Sequence, residues 1–260
     1  MRKKDFLIAF VAMFLLVTGV LWRFHERSKL NCVNIFYDQT ANPSYGGGRQ
    51  DAITLQGLLI FFPEFAQIIR PVESYQPGDI ERCPVNFYIG SYRDNPLPEA
   101  FLQDFVTTKR NVAWIGYNVW QLRENLPAAL GLEFIGFTVD PGNNKPSFFR
   151  DILYKGATYK GGKLMTRRAS VVGSSVNEQV IVKALDLGRT QILAESKDRG
   201  SAVSIPYIIR TNNYFYVADI PFTDRQRSDR YLVFVDLLFD ILGAEPQRHD
   251  IFALMKQDAK

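Results

Sequence analysis

The chain has 260 residues, of which 47% are hydrophobic and 22% are charged, and its formal net charge is +4. A chain of this length and composition can bury a proper core as one large domain or two small ones. Past the N-terminal segment the basic residues are scattered singly, apart from the pair Arg167-Arg168. A clustered basic surface is therefore missing, and we predict a globular protein that binds no nucleic acid.

Residues 1–30 predict a membrane anchor. Basic residues at the start precede an uncharged apolar run from Phe6 to Trp22, and Arg23, His25 and Arg27 follow it. This pattern favours a single-pass helix in the cell inner membrane, with the folded part periplasmic or extracellular. A cleaved signal peptide, a lipoprotein modified at Cys32 and a buried helix of a cytosolic domain are the alternatives. The run lacks an A-x-A cleavage pattern, so we favour the uncleaved anchor.

The two cysteines have matching contexts. Cys32 and Cys83 each stand just before a β-type run, "VNIFY" and "PVNFY". If these runs are neighbouring parallel strands, the two sulfur atoms meet at the N-terminal edge of the sheet. Export would place them in an oxidising compartment, so we predict a Cys32–Cys83 disulfide, with two unpaired buried thiols as the alternative.

Residues 31–139 alternate strand and helix patterns. The strand-like runs are Val33–Asp38, Ile68–Tyr75, Val85–Gly90, Asn111–Gly116 and Leu132–Phe137, and the helical runs are Asp51–Phe62, Pro98–Thr107 and Val119–Leu130. Short connections between such elements predict an α/β domain with a mostly parallel sheet, of the flavodoxin-like and amidotransferase-like kind.

The rhythm changes after Gly136. Residues 140–222 carry strand-like runs without helical patterns between them, and we predict an antiparallel β section there. Its runs are Ile152–Tyr159, Gln179–Leu185, Gln191–Glu195, Ala202–Arg210 and Tyr214–Asp219. Residues 223–260 begin with the apolar face of a C-terminal helix from Asp229 to Leu242, which Gly243 and Pro246 end.

A glycine triplet, Gly46, Gly47 and Gly48, lies between the first strand and the first helix. Phosphate-binding turns have the forms G-x-x-x-x-G-K-[ST] or G-x-G-x-x-G, and neither occurs here. We therefore predict no nucleotide and no other cofactor. The loop still lies beside the crevice where open α/β sheets bind ligands, so a polar ligand such as a sugar and a purely structural turn both stay open.

Several segments together resemble an uncharacterised bacterial family related to polysaccharide deacetylases. They are "IFYD", "FYIGSY", "VAWIGYNVWQL", "FYVADIPFTDRQRSDRYLVFVDLLFDILG" and "FALMKQDA". The resemblance implies that Val33 to Lys260 corresponds to the N-terminal portion of such proteins. It also implies that the last helix leads toward a deacetylase-like barrel, whose opening acidic pair is represented here by Gln257-Asp258.

Catalysis by this chain alone is not predicted. Deacetylases resemble one another in holding a metal with one Asp and two His, whereas this sequence has only His25 and His249, far apart. Amidotransferase-like folds carry a nucleophilic Cys on the turn after a central strand, and the comparable turn here carries Asn118. A glycosidase pair drawn from Asp38, Asp94, Asp140 and Asp219 needs separations that a sequence does not supply. We predict no metal site and no catalytic residue.

Aromatic and polar residues cluster at the predicted C-terminal ends of the parallel strands. Sugars are often held by aromatic faces with planar amides and carboxylates on their hydroxyl groups. The ligand-binding candidates are Asp38, Tyr45, Gly46, Gly47, Ser91, Tyr92, Asn118 and Trp120. Ordinary half-buried packing is the rival interpretation of the aromatic members.

We therefore expect a membrane-anchored extracytoplasmic accessory domain of a polysaccharide-deacetylase-like protein, which binds or positions cell-surface polysaccharide. One alternative is a truncated fragment of a complete deacetylase-like hydrolase. The other is an envelope scaffold that uses the antiparallel part to contact a protein partner.

Overall fold

The computed structural model describes residues 31–39, 47–138, 150–160, 179–198, 203–221 and 229–244. The predicted N-terminal anchor, the candidates Tyr45 and Gly46, and Asp258 lie outside these residues. Within the described ranges, no helix combines the length and apolar character needed to cross a membrane.

The described chain forms a mixed α/β fold around one large sheet. Nine strands follow the spatial order β2-β1-β3-β4-β11-β10-β9-β6-β7, and β5 pairs with β8 in a separate two-stranded sheet. The strands are β1 (Cys32–Tyr37), β2 (Ala66–Pro71), β3 (Val85–Gly90), β4 (Asn111–Gly116), β5 (Leu132–Phe137), β6 (Arg150–Tyr154), β7 (Ala157–Tyr159), β8 (Val180–Ala184), β9 (Thr190–Asp198), β10 (Ser204–Thr211) and β11 (Tyr214–Val217).

The first half of the sheet is parallel, as the sequence predicts. β1 pairs in parallel with β2 and with β3, and β3 pairs in parallel with β4. Every residue of β1 and β3 is buried, as expected of strands covered on both faces. Helix α1 (Gly47–Leu59) packs on β1 and β3, and Phe101 of helix α2 (Glu99–Thr107) packs against the Phe36 ring of β1.

The second half is antiparallel and continues the same sheet. β11 lies parallel to β4, and β10, β9 and β6 then follow in antiparallel pairs. Strands that precede residue 140 in the sequence and strands that follow it thus belong to one hydrogen-bonded sheet. The predicted turn between β10 and β11 is present, with Asn212 at a φ of 55°.

Three predicted elements differ from the structure. The run Leu132–Phe137 is a strand, but it leaves the parallel sheet and pairs antiparallel with β8. The predicted helix Val119–Leu130 divides into a 3₁₀ turn, Val119–Leu122, and helix α3 (Asn125–Leu130), because Arg123 between them has a φ of 50°. The predicted strand Ile68–Tyr75 ends at Pro71, and a 3₁₀ turn, Val72–Ser74, follows.

Both ends of the described fold lie at the N-terminal edge of the parallel strands. Asn31 precedes β1, and its carbonyl accepts a hydrogen bond from the Ala66 amide of β2. Helix α4 (Arg230–Leu242) ends near the start of β4, where Asn111 Nδ2 donates to the Ile241 carbonyl over 2.9 Å.

The predicted disulfide is confirmed. Cys32 and Cys83 are bonded, with their Cα atoms 5.1 Å apart. Because β1 and β3 are adjacent and parallel, the residues that precede them meet at the same edge. The bond closes a loop of 51 residues that contains α1 and β2.

We expect the double substitution Cys32→Ser and Cys83→Ser to lower the free energy of unfolding by about 4 kcal/mol, because the loop is then no longer closed in the unfolded chain. Urea unfolding followed by circular dichroism measures this loss. Reductant should produce a similar loss in the wild type and no further change in the variant. Two free thiols in the wild-type protein purified without reductant would contradict the assignment.

Candidate functional site

Polar residues from four chain segments meet at the C-terminal edge of the parallel strands. Asp38 directly follows β1, Glu73 lies in the turn after β2, Tyr92 and Asn95 follow β3, and Asn118 follows β4. Parallel strands end at one edge, which is where open α/β sheets place their ligand sites.

The carboxylate of Asp38 is the centre of this cluster and is 1% exposed. Its Oδ1 accepts hydrogen bonds from Tyr88 Oη at 2.6 Å and from Asn95 Nδ2 at 3.1 Å. Its Oδ2 accepts from the Tyr92 backbone N–H at 3.0 Å and from Asn118 Nδ2 at 3.3 Å. One side chain therefore connects the loops after β3 and β4.

Neutral groups supply all of these hydrogen bonds, in contrast to two other buried carboxylates. Asp79 pairs with Arg70 and Arg82, and Asp219 pairs with the buried Arg230. Burial without a cation raises the pKa of the Asp38 carboxyl to about 7, although hydrogen bonds from Tyr88 and the Tyr92 amide lower it; the negative charge of Glu73 raises it further. Asp38 therefore changes its charge near neutral pH.

Glu73 and Asn95 form the outer part of the cluster. Asn95 Nδ2 bridges the two carboxylates, since it also donates to Glu73 Oε1 at 3.0 Å, and the same oxygen accepts the Gln39 amide at 2.9 Å. Gln121 holds this loop from the β4 side by donating to the Asn95 carbonyl and by accepting the Leu97 amide. Glu73 is exposed, so the cluster reaches from a buried centre to the surface.

Asn118 combines a left-handed backbone with an unusual side chain. Its φ is 73°, a region that Asn adopts at little cost. Its Nδ2 faces three acceptors, namely Asp38 Oδ2, Tyr88 Oη and the Tyr92 carbonyl. Its Oδ1 is buried and accepts no hydrogen bond from any described residue. A buried acceptor without a donor is costly, and among the described side chains of the cluster this oxygen is the one buried polar atom without a partner.

Two glycines allow the backbones of the site to approach closely. A Cβ on Gly48, in the first turn of α1, would lie 2.0 Å from the Asp38 carbonyl oxygen. A Cβ on Gly90, at the end of β3, would lie 2.4 Å from the Tyr117 carbonyl oxygen. Gly48 belongs to the predicted glycine triplet, and α1 begins at Gly47. Within the described residues, the triplet therefore packs a helix start against a strand end.

Only some of the predicted binding residues meet in the cluster. Asp38, Asn118 and the backbone of Tyr92 form the cluster, whereas Ser91 points to a neighbouring buried pair, donating to Asp51 Oδ2 at 2.7 Å. The Tyr92 ring is buried, so it presents no open face. Trp120 is half-buried and packs with Phe134 and Phe137, at ring-centroid distances of 5.1 and 5.3 Å. Tyr45 and Gly46 lie outside the described residues.

Tyr88, Glu73, Asn95 and Gln121 belong to the site and were not predicted. The contact of Tyr88 with Asp38 could have been predicted from the sequence. A tyrosine in a buried strand needs a hydrogen-bond partner for its hydroxyl, and Asp38 follows the neighbouring strand. Burial and the charge of Asp38 hold the pKa of Tyr88 well above its usual value, so it stays a neutral donor. The other three lie in turns whose path no sequence pattern specifies.

The arrangement is suited to holding loops and presenting polar groups. Four neutral donors already contact the two oxygen atoms of Asp38, and burial separates the carboxyl from any substrate at the surface. Within the described residues, no group of three or more His, Cys, Asp or Glu side chains is placed to hold a metal ion.

No protein-family model matches the chain, and no curated protein matches it. Several solved structures are similar in fold, and two of them illustrate the likeness. One is the exo-β-1,4-mannosidase Op5Man5 from Opitutaceae bacterium strain TAV5, at a TM-score of 0.51 and 13% identity, covering 82% of this chain. The other is a ThuA-like protein from Bacteroides uniformis ATCC 8492, at a TM-score of 0.55 and 10% identity, covering 80% of this chain and 89% of that one. This chain spans only 36% of the mannosidase.

Gly48→Ala should destabilise the protein by about 1–3 kcal/mol, because the new methyl group would overlap the Asp38 backbone carbonyl. The backbone would have to shift, and the Asp38 carboxylate would move with it out of the cluster. Gly57→Ala is the matched control. Gly57 lies in the same helix, and a Cβ added there would have nothing within 4 Å. That substitution should stabilise the protein by about 0.5–1 kcal/mol. Urea unfolding of both variants measures the difference, and equal effects would contradict this packing.

The contribution of Asp38 to the free energy of unfolding should fall as the pH rises from about 4 to about 7. The Asp38 carboxyl titrates at about 7 in the folded protein and near its ordinary value of 3.8 in the unfolded chain. Between these values the folded state binds more protons than the unfolded state, so raising the pH favours unfolding.

Asp38→Asn should flatten that dependence, whereas Glu124→Gln, which neutralises an exposed carboxylate, should leave it unchanged. Unfolding free energies measured at several pH values test both variants. An unaltered slope in Asp38→Asn would show that another group titrates.

Proposed function

We propose that this chain is a membrane-anchored extracytoplasmic domain that binds or positions a cell-surface glycan, as the non-catalytic part of a polysaccharide-deacetylase-like protein. The observation that carries the proposal is the polar cluster around Asp38, with the buried and unsatisfied Asn118 Oδ1 beside it. A sugar hydroxyl or an acetamido N–H has the donor that this oxygen lacks.

The outer part of the cluster supplies the other groups that carbohydrate sites use. Asn95 and Gln121 are half-buried planar amides, Glu73 is an exposed carboxylate, and Trp120 is a half-buried aromatic residue two positions after Asn118. Because hydrogen bonds to Asp38 and Gln121 fix the loops before any ligand arrives, binding costs little ordering of the protein.

Three features support a role without catalysis. The oxygens of Asp38 are occupied, Asn118 stands where amidotransferase-like proteins carry a nucleophile, and the sequence has no histidines besides His25 and His249, which are separated by most of the chain. Hydrolysis of an N-acetyl group requires an electrophile for the carbonyl and a base for water. The cluster has an exposed carboxylate, Glu73, but among its described side chains there is no cation that would polarise the carbonyl.

The location of the domain is proposed from two independent features. The apolar run from Phe6 to Trp22, flanked by basic residues, favours an anchor with its start in the cytoplasm. The disulfide between Cys32 and Cys83 is compatible with the oxidising side of that membrane.

The likeness to the mannosidase is compatible with an accessory role. It is a likeness of fold, and it covers about a third of a protein whose name states that it acts on mannosides. A domain of this fold therefore occurs as one part of a larger carbohydrate-active protein.

Trp120→Ala should weaken glycan binding about tenfold, the loss expected for one aromatic stacking face. Full-length protein in detergent, applied to an array of acetylated and deacetylated amino-sugar oligomers and neutral glycans, measures binding. The control is Phe61→Ala, which removes an aromatic ring at the opposite edge of the sheet and should leave binding unchanged.

Equal binding by the two variants, or no binding by the wild type, would contradict glycan binding and favour the alternative of an envelope scaffold that contacts a protein partner. Release of acetate from acetylated oligomers by the wild type would contradict the non-catalytic role. Thermal unfolding of each variant confirms that the comparison is made between folded proteins.

A further inference from the structure

We infer that an exposed apolar surface along the second half of α1 and the turn after it, formed by Ile53, Ile60 and Phe61, rests on the lipid bilayer. We call the surface formed by these three side chains the α1 contact. The inference rests on the anchor in the proposed function. It adds that the folded domain itself touches the membrane in a fixed orientation.

These side chains are three of the ten large hydrophobic residues that are exposed in the described part of the chain. Ile60 is 70% exposed, Ile53 42% and Phe61 41%. Ile53 and exposed Gly57 are four residues apart and lie on one side of the helix, with half-buried Gln56 beside them, and Ile60 directly follows the helix end at Leu59. The opposite side of α1 is buried through Leu55, Leu58 and Leu59. Within the helix, the solvent-facing side of this half therefore carries Ile53 beside Gln56 and Gly57, and Ile60 and Phe61 extend the exposed apolar surface past the helix end.

The α1 contact lies close to the point where the chain enters the fold. The residues after α1 lead directly into β2, whose first amide, Ala66, is hydrogen-bonded to the Asn31 carbonyl over 2.9 Å. Five residues at full extension span about 18 Å, which is the largest possible separation of Phe61 from Ala66. Phe61 is therefore held near Asn31 whatever path the intervening turn takes.

The length of chain before Asn31 limits how far this corner can be from the membrane. From Trp22, the last residue of the apolar run, to Asn31 the chain spans at most about 32 Å when fully extended. A tether this short gives the α1 contact a high effective concentration at the bilayer surface. An amphipathic helix side inserts about 5–10 Å into the boundary between headgroups and acyl chains.

Apolar contact, not charge, carries this inference. Glu64 is exposed beside Phe61, and basic residues do not outnumber acidic ones around it. The contact should therefore form on zwitterionic lipid as well as on anionic lipid. A glycan is a poor occupant because the exposed side chains offer it no hydrogen bonds.

The orientation has a consequence for the proposed site. Ile60 and Phe61 lie at the N-terminal edge of the parallel strands, whereas Asp38, Asn95 and Asn118 lie at the C-terminal edge. With Ile60 and Phe61 on the bilayer, the polar cluster lies at the edge of the sheet that is farther from the membrane.

The test uses full-length protein reconstituted in phosphatidylcholine vesicles that contain nitroxide-labelled lipid. Ile60→Cys is labelled with an environment-sensitive fluorophore, and Ser74→Cys, an exposed position at the opposite edge, is the matched control. We expect the fluorophore at position 60 to be quenched and blue-shifted and the one at position 74 to be unaffected. With the label at Ile53→Cys, adding Ile60→Asp and Phe61→Asp should abolish quenching, whereas adding Leu187→Asp, at another exposed apolar position, should not.

Three results would overturn the inference. Equal quenching at positions 60 and 74 in a chain that remains in the vesicles would leave the anchor intact and refute the contact. Cross-linking between two position-60 cysteines without nitroxide quenching would show that a second copy covers the surface instead. A chain that does not associate with vesicles would refute the anchor itself, and with it both proposals.

Discussion

The need to satisfy one buried carboxylate governs the geometry at the C-terminal edge of this sheet. Asp38 lies at the end of a strand buried on both faces, so its charge cannot reach bulk water. Without a cation in its hydrogen-bonding shell, it needs several neutral donors, and these come from the strand β3, from the loop after β3 and from the turn after β4. Because the donors belong to different segments, satisfying Asp38 fixes those segments relative to one another. The same arrangement leaves Asn118 with its amide nitrogen engaged and its oxygen unsatisfied.

Two further buried carboxylates have arginines as partners, and these neutralise their charge. Asp219, just after β11, is neutralised by Arg230 at the start of α4 and also accepts the Tyr207 hydroxyl. Asp79 is neutralised by Arg70 and Arg82 beside the disulfide. Ion pairs of this kind join elements across the fold. Asp38, by contrast, keeps a charge that depends on pH, and this distinguishes it as the centre of a site.

The sequence predicts those parts of the fold that depend on local pattern. The continuous apolar runs of β1, β3 and β4 identify buried parallel strands, and the repeated placement of a cysteine before a strand identifies the disulfide. The partners of β5 and β11 are not encoded locally: the run Leu132–Phe137 has the same β-type character whether it joins the parallel sheet or pairs with β8. For the site, the positions of Asp38 and Asn118 follow from the rule that parallel strands end at one edge. Their hydrogen-bond partners depend on turn geometry, and the 3₁₀ turn after Asn118 directs Trp120 toward Phe134 and Phe137.

The position of the disulfide also determines how the fold bears mechanical load. Force that reaches the domain through Asn31 acts first on Cys32, at the start of β1. Without the covalent bond, such a force would pull β1 from its neighbours one hydrogen bond after another, beginning at the end of the strand. The bond to Cys83 transfers the load to the start of β3, a central strand that is paired on both sides. Tension from the N-terminal side is therefore spread across the sheet, and the end of β1 that leads to Asp38 is shielded from it.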